Sequence, residues 1–227
     1  MDQRKIVSIL KKHDVDQLFH ADTVLTSLSF LQAKGICSRQ YLDSLSLNKT
    51  DQYTDETDKS FDVYDDLFFD SVDIHKRAHN RNKYGPVTFV FDLKMLLNQE
   101  LKNKIFITKS NAAYWKKGMR PEQRYFLTVE DLAQGFVKGN FGQNITFHHV
   151  PFQDFSALQY IILERLPAQH TNLFEDAYHE IRNKLRELGY SIPLVIRKCD
   201  DDCKCFNEYN KMSYDKLLKY FKTKGDQ

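Results

Sequence analysis

LFHADTVLTSLSFLQAKGICSR, residues 18–39, is the stretch from which the rest of the chain is read. With Gln17 it opens on a short extended segment, QLFHAD, which places His20 near the end of a strand. Val24, Leu25, Leu28, Phe30 and Leu31 then fall largely along one face of a helix over residues 24–34. Asp22 or Thr23 is the expected cap and Gly35 the expected stop. The unit is a strand, a turn and a helix, followed at once by Cys37, Ser38 and Arg39. A histidine in this place either fills the core or holds a ligand against the strand end.

Working outward, Ile6, Val7 and Leu10 mark a short first helix within residues 4–12. Residues 43–60, DSLSLNKTDQYTDETDKS, are polar and acidic with little to bury, so a mobile surface loop is expected. FDVYDDLFFDSVDIH (61–75) mixes aromatics with carboxylates, and RAHNRNKYGP (77–86) is a basic, turn-forming run. VTFVF, KIFIT, NITFHHV, LQYIILERL and IPLVI read as strands, DLKMLLN and TVEDLAQGF as short helices. Phe174, Tyr178, Ile181, Leu185 and Leu188 mark a long amphipathic helix ended by Gly189, and SYDKLLKYFK is a last helix. No internal repeat or Pro/Gly-rich linker interrupts the chain. The expectation is one α+β domain over residues 1–227, with 198–227 as a C-terminal loop and helix; the strand order is not legible.

The net charge of the 227 residues is +2, from 33 Lys and Arg against 31 Asp and Glu, so any nucleic-acid site must be a local patch. The N-terminus is too charged for a signal peptide and no apolar stretch reaches a membrane span; a cytoplasmic protein that does not use a membrane is expected. The sequence holds no phosphate-binding P-loop, no G-x-G-x-x-G, no G-x-S-x-G and no H-E-x-x-H motif. His148 and His149 sit on an expected strand, where their rings would point to opposite faces. KCDDDCKCF (198–206) sets Cys199, Cys203 and Cys205 within seven residues, enough thiolates for one soft cation. Its spacing is not that of a zinc ribbon, a fourth ligand would have to come from Cys37 or a histidine, and its aspartates suit a solvated loop. No metal is expected.

The segment from the aromatic-His pair through the helix to Gly-Ile-Cys-Ser resembles the N-terminus of the DarT-type ADP-ribosyltransferase toxins and, more distantly, the RNA 2′-phosphotransferases. In that family the first histidine meets the adenosine ribose of NAD; it falls on His20, with the family's glycine and serine on Gly35 and Ser38. Thr23 and Thr26 stand where the family has a second histidine and an asparagine. The resemblance implies an ADP-ribosyltransferase-like fold, a short-stranded split sheet core flanked by helices, with NAD as co-substrate. It implies cofactor contacts at His20, Asp22, Thr23 and Ser38, and an arginine facing the dinucleotide from the 77–86 turn, Arg77 or Arg81, with Arg81 favoured for a catalytic part.

Cleaving the nicotinamide glycosidic bond builds positive charge on the ribose, which calls for a nearby carboxylate. The family places a glutamate at the head of the strand that corresponds to NITFHHV; here Gln143 and Asn144 stand there. Either another carboxylate serves, with Glu130, Asp131, Asp154 and Glu164 as candidates, or position 143 or 144 holds a substituted glutamate, or the chain is a pseudoenzyme. Tyr114, Trp115, Lys116, Lys117, Arg120 and Arg124 interleave aromatics with cations, as single-strand binders do, although a buried tryptophan with wet basic neighbours gives the same letters. The reading that results is a mono-ADP-ribosyltransferase toxin or phage-defence effector that modifies DNA or RNA, for which the resemblance implies an antitoxin protein as a candidate partner. A non-catalytic NAD- or nucleic-acid-binding module, an RNA 2′-phosphotransferase and a transferase acting on protein are the alternatives.

Overall fold

The computed structural model describes residues 1–199 and 202–225. Its strands are β1 (Gln17–Asp22), β2 (Gly35–Cys37), β3 (Leu67–Phe69), β4 (Val87–Asp92), β5 (Ile105–Ile107), β6 (Ile145–Phe147), β7 (Phe152–Asp154), β8 (Leu158–Leu163) and β9 (Leu194–Ile196). The α-helices are α1 (Gln3–Lys12), α2 (Val24–Ala33), α3 (Arg39–Ser44), α4 (Asp55–Ser60), α5 (Ile74–Ala78), α6 (Pro121–Arg124), α7 (Val129–Gly135), α8 (Thr171–Glu187), α9 (Cys205–Asn210) and α10 (Tyr214–Phe221).

The strands form a split arrangement. One sheet runs β1-β4-β8-β9, a second runs β3-β6-β5, and β2 pairs with β7. The first two sheets meet where Phe19 of β1 bridges Asp70, just beyond β3. That junction puts the end of β1, and His20 with it, beside the residues that follow β3. β4 is buried from Val87 to Phe91, which explains its unbroken apolar run: it is the inner strand between β1 and β8 and is covered on both faces. β9 joins β8 in parallel after the crossover through α8, whose Phe174, Ala177, Ile181 and Leu185 face the core. One apolar core runs from Ile6 and Leu10 of α1 to Leu217 and Phe221 of α10.

The opening stretch folds largely as its pattern dictates. Thr23 caps α2 by accepting from the Thr26 amide, and the helix is buried around most of its circumference. Its end differs from expectation. Lys34, in the left-handed region at φ 66°, stops the helix, and Gly35 begins β2. A Cβ at Gly35 would lie 2.4 Å from the Phe152 ring and 2.5 Å from the Gln153 carbonyl, so glycine is needed there for the close approach of β7.

Residues 43–60, expected as a slack loop, carry α4 and bury Thr50. The reason is Arg39, whose guanidinium clasps the Asp55 carboxylate at 2.8 and 3.0 Å and donates to the Thr50 carbonyl at 2.9 Å. The expected strand through His148 and His149 is also corrected. β6 ends at Phe147, and His149 takes a left-handed φ of 50°. The two imidazoles therefore lie side by side, 3.9 Å apart, with His148 Nδ1 3.0 Å from buried Asp66. The C-terminal region holds two helices, α9 and α10, where one was expected.

Candidate active site

Where β1 meets the residues after β3, a cavity of about 110 Å³ is lined by His20, Asp22, Ser38, Arg39 and Asp70 among others. It shares Gln52, Asp58, Phe68 and Tyr84 with a larger cavity of about 440 Å³, to which Thr23, Thr50, Asn144 and Lys219 also contribute. Together they form a cleft between the β1 end, the 50–58 segment and the residues leading into β6.

His20 is held in a single chemical form. Its Nδ1 lies 2.8 Å from the Phe68 carbonyl oxygen, which can only accept, so Nδ1 carries the proton. Nε2 is then a bare acceptor, and it is buried with no partner among the described residues. Burial lowers the imidazole's pKa and keeps the ring neutral. Phe30 and Phe69 fix its plane. A buried acceptor without a partner, on a residue that lines the cleft, suits a ligand hydroxyl.

Arg39 supplies the complementary donor. Its Nε and Nη2 are spent on Asp55 and Thr50, while Nη1 is buried without a partner among the described residues. This residue carries no functional motif in the sequence. Its only signal was its place after Ser38, where α3 begins.

The other cofactor candidates differ in what they have left to offer. Asp22 accepts from the Thr23 amide at 2.7 Å, and burial raises its carboxyl above the usual range. Thr23 bonds Thr26 and Thr50 through its hydroxyl. Ser38 caps α3 and donates to Asp65 at 2.6 Å, so its hydroxyl is largely engaged in structure.

Asp70 is the acid that sequence reasoning did not name. Burial pushes its carboxyl up to about 7, against the pull of Lys83 and of the Asn144 side-chain amide, which donates to it at 2.8 Å. It lay in an acidic, aromatic run where each carboxylate looked like solvated surface.

The structure separates the two strand-leading amides. Asn144 lines the larger cavity. Gln143 does not. Its Oε1 accepts from the Val137 amide at 2.7 Å and its Nε2 donates to the Gly135 carbonyl at 3.0 Å, so both ends brace the turn after α7. Nor does either arginine of the 77–86 turn line the cleft. Arg77 is exposed on α5, and Arg81 stacks on Tyr220 with Cζ 5.0 Å from the ring centre, facing Glu208 at 3.5 Å. Tyr220 does reach the larger cavity, so Arg81 stands behind its wall. The alternative carboxylates also lie elsewhere: Glu164 is buried against His75 and Tyr209, Asp131 pairs with Lys109, and Glu130 and Asp154 are exposed.

The run at 114–124 splits as well. Trp115 is only 5% exposed, donates to the Ser110 carbonyl at 3.0 Å, and packs edge-on against Phe61 and Tyr125. Arg124 lies over both Phe61 and Trp115, at 4.8 and 5.1 Å. Both were expected among nucleic-acid contacts; Trp115 instead joins Val63 and Ala112 in a small apolar cluster, and Arg124 is spent on its aromatic faces. Tyr114 is 72% exposed at the rim of the larger cavity. Lys116, Lys117 and Arg120 are exposed, Arg120 pairing with Glu122 at 3.0 Å.

No family model and no curated protein sequence matches the chain. Solved structures do. Thermus sp. 2.9 DarT in complex with ADP-ribosylated ssDNA matches with a TM-score of 0.52, over 82% of this chain and 95% of that one. The same protein in complex with NAD+ matches with a TM-score of 0.51, over 82% and 96%. Sequence identity is 10% in both cases, and the likeness is one of fold: the chain has the DarT ADP-ribosyltransferase architecture. No helix among the described residues is long and apolar enough to cross a membrane.

Proposed function

We propose that the protein is an NAD-dependent ADP-ribosyltransferase whose acceptor is a single-stranded nucleic acid, and that the His20–Arg39–Asp70 cleft is its active site. The observation that carries this reading is the pair of buried nitrogens without partners among the described residues, the His20 Nε2 acceptor and the Arg39 Nη1 donor, on two residues that line one small cavity. A dinucleotide offers what each lacks, a ribose hydroxyl to donate and an anionic or carbonyl oxygen to accept. The solved DarT complexes with NAD+ and with ADP-ribosylated ssDNA support the choice of co-substrate and acceptor.

In this reading Asp70 supplies the charge that the neutral amides at 143 and 144 cannot. As nicotinamide leaves, the ribose becomes oxocarbenium-like, and an ionised carboxylate beside it lowers the energy of that state. With a pKa pushed up to about 7, Asp70 is poised at neutral pH to take the acceptor's proton as the new glycosidic bond forms. Asn144 orients it. Tyr114 at the rim, with exposed Lys116 and Lys117 following it in the chain, forms the surface across which a strand would enter.

Gln143 does not fit the reading of a disabled catalytic glutamate. A glutamate there would set a carboxylate oxygen against the Gly135 carbonyl, where the structure requires a donor. The test is transfer of label from adenylate-labelled NAD to single-stranded DNA or RNA oligonucleotides. Label on the oligonucleotide with wild type, and none with Asp70→Asn, is the expected outcome. Intact NAD and unlabelled DNA, RNA and protein after prolonged incubation would refute the activity. Expression-linked growth arrest would place the activity in a toxin or defence role.

A further inference from the structure

The cysteines of KCDDDCKCF, left without a fourth partner by their spacing, meet a histidine contributed from α5. His75 Nε2 lies 3.3 Å from Cys203 Sγ and 3.4 Å from Cys199 Sγ, and Cys199 and Cys205 are 3.3 Å apart. All four ligand atoms fall within 4.8 Å of one another. We propose that Cys199, Cys203, Cys205 and His75 form a structural Cys3His site for a zinc-class divalent cation.

Three observations support this. With Zn–S near 2.3 Å and Zn–N near 2.0 Å, a tetrahedral set holds its donors about 3.5–3.8 Å apart, close to the spacing found before any ion draws them into place. The ring is also oriented as a metal ligand. His75 Nδ1 sits 2.5 Å from a Glu164 carboxylate oxygen, so its proton lies there and the Nε2 lone pair points at the sulfurs. A carboxylate behind the ligating imidazole is the usual outer-shell device for fixing tautomer and basicity. Glu164 is itself pinned: it accepts from the Asn82 amide at 2.9 Å and from the Tyr209 hydroxyl of α9. Finally, the sulfurs are free thiols, and the 3.3 Å between Cys199 and Cys205 is far from the roughly 2.05 Å of a disulfide.

The site would join distant parts of the chain. His75 and Cys199 are 124 positions apart. Arg197 clasps Asp73, the cap of α5, at 2.7 and 3.0 Å, and the Lys204 amide donates to the His79 carbonyl just past that helix. The ion completes a clamp that fastens α5 and the turn after it to the chain beyond β9. Four protein ligands leave no open position, so its contribution is to folding rather than to chemistry.

The test is metal analysis of the full chain purified without chelator. About one equivalent of zinc per chain is expected, with cobalt(II) in its place giving the intense visible bands and sulfur-to-metal charge transfer of a tetrahedral thiolate site. Cys203→Ala and His75→Ala should each lose the metal. His75→Cys, which keeps a donor, should retain it with a shifted cobalt spectrum, separating lost ligation from lost folding. Stripping zinc with a strong chelator should lower the melting temperature and open residues 198–211 to protease. Three results would overturn the proposal: no metal as purified and no cobalt spectrum on titration of the reduced protein, zinc retained undiminished in both alanine variants, or a Cys199–Cys205 disulfide in protein kept from oxidants.

Discussion

The side-chain amide of Asn144 donates to the Asp70 carboxylate across 2.8 Å, so an amide at the head of β6 orients an acid that follows its neighbouring strand β3. The cleft therefore has its carboxylate, carried by the chain after β3. Function and stability should conflict at this residue. Unfolded, Asp70 ionises near its ordinary 3.8; folded, it keeps its proton to about 7. The folded state binds the extra proton between those values, so the contribution of Asp70 to stability is fullest below 3.8 and is lost as pH rises to about 7. Asp70→Asn cannot ionise. It should melt at or above wild type, with an advantage that grows from pH 5 to pH 8, while transferase turnover falls about 100-fold or more. Thermal melts across that range check the first part; a flat difference would contradict the buried carboxyl.

His20 gives the opposite pH dependence. Its folded pKa lies below the ordinary 6.5, so its contribution is full above 6.5 and is lost as pH falls through the folded value. In an Asp70→Asn background, His20→Gln should flatten the loss of stability on acidification from pH 7 to pH 5. Equal slopes in the two proteins would show that the ring is not held neutral.

Trp115→Ala should lower stability by about 3–5 kcal/mol, as for other large buried aromatics. Tyr114→Ala should change it by less than about 0.5 kcal/mol, as surface substitutions do, yet weaken binding of single-stranded oligonucleotides. Denaturant titration and fluorescence anisotropy separate the two effects. A Tyr114 variant that binds normally would remove that rim from the acceptor path.

Gly85 is the tightest point behind the cleft. A Cβ there would lie 2.0 Å from the Asp22 carbonyl carbon and 2.3 Å from the Thr23 nitrogen, both backbone atoms that cannot swing aside. Gly85→Ala should destabilise the protein by about 2–4 kcal/mol, read as a lower denaturation midpoint. Retained stability would mean that the corner between β1 and α2 is looser than its packing implies.

What the sequence made legible follows from length and period. β1, α2, β4 and α8 are long enough for their apolar spacing to declare them, and with Gly35 and Ser38 they carried the family resemblance. β2, β3 and β7 have three residues each and sit in the mixed or polar runs, too short to show an alternation, so the split of the sheet was implied by the family resemblance rather than read from the strands. His20 was found because it ends a legible strand. Arg39 and Asp70 were missed because a cationic side chain after a cap and an acid in a polar run look like surface until the fold buries them. The thiolate cluster was half legible: three ligands are close in sequence, and the fourth arrives only through tertiary structure.

The central claim is that His20 Nε2 and Arg39 Nη1 close on one dinucleotide, and calorimetric titration with NAD tests it most directly. Wild type should bind saturably, His20→Ala should lose about 5- to 30-fold in affinity, as for a single buried hydrogen bond, and Arg39→Ala at least as much, with each variant shown to be folded. No binding by wild type, or unchanged affinity in both folded variants, would contradict the account.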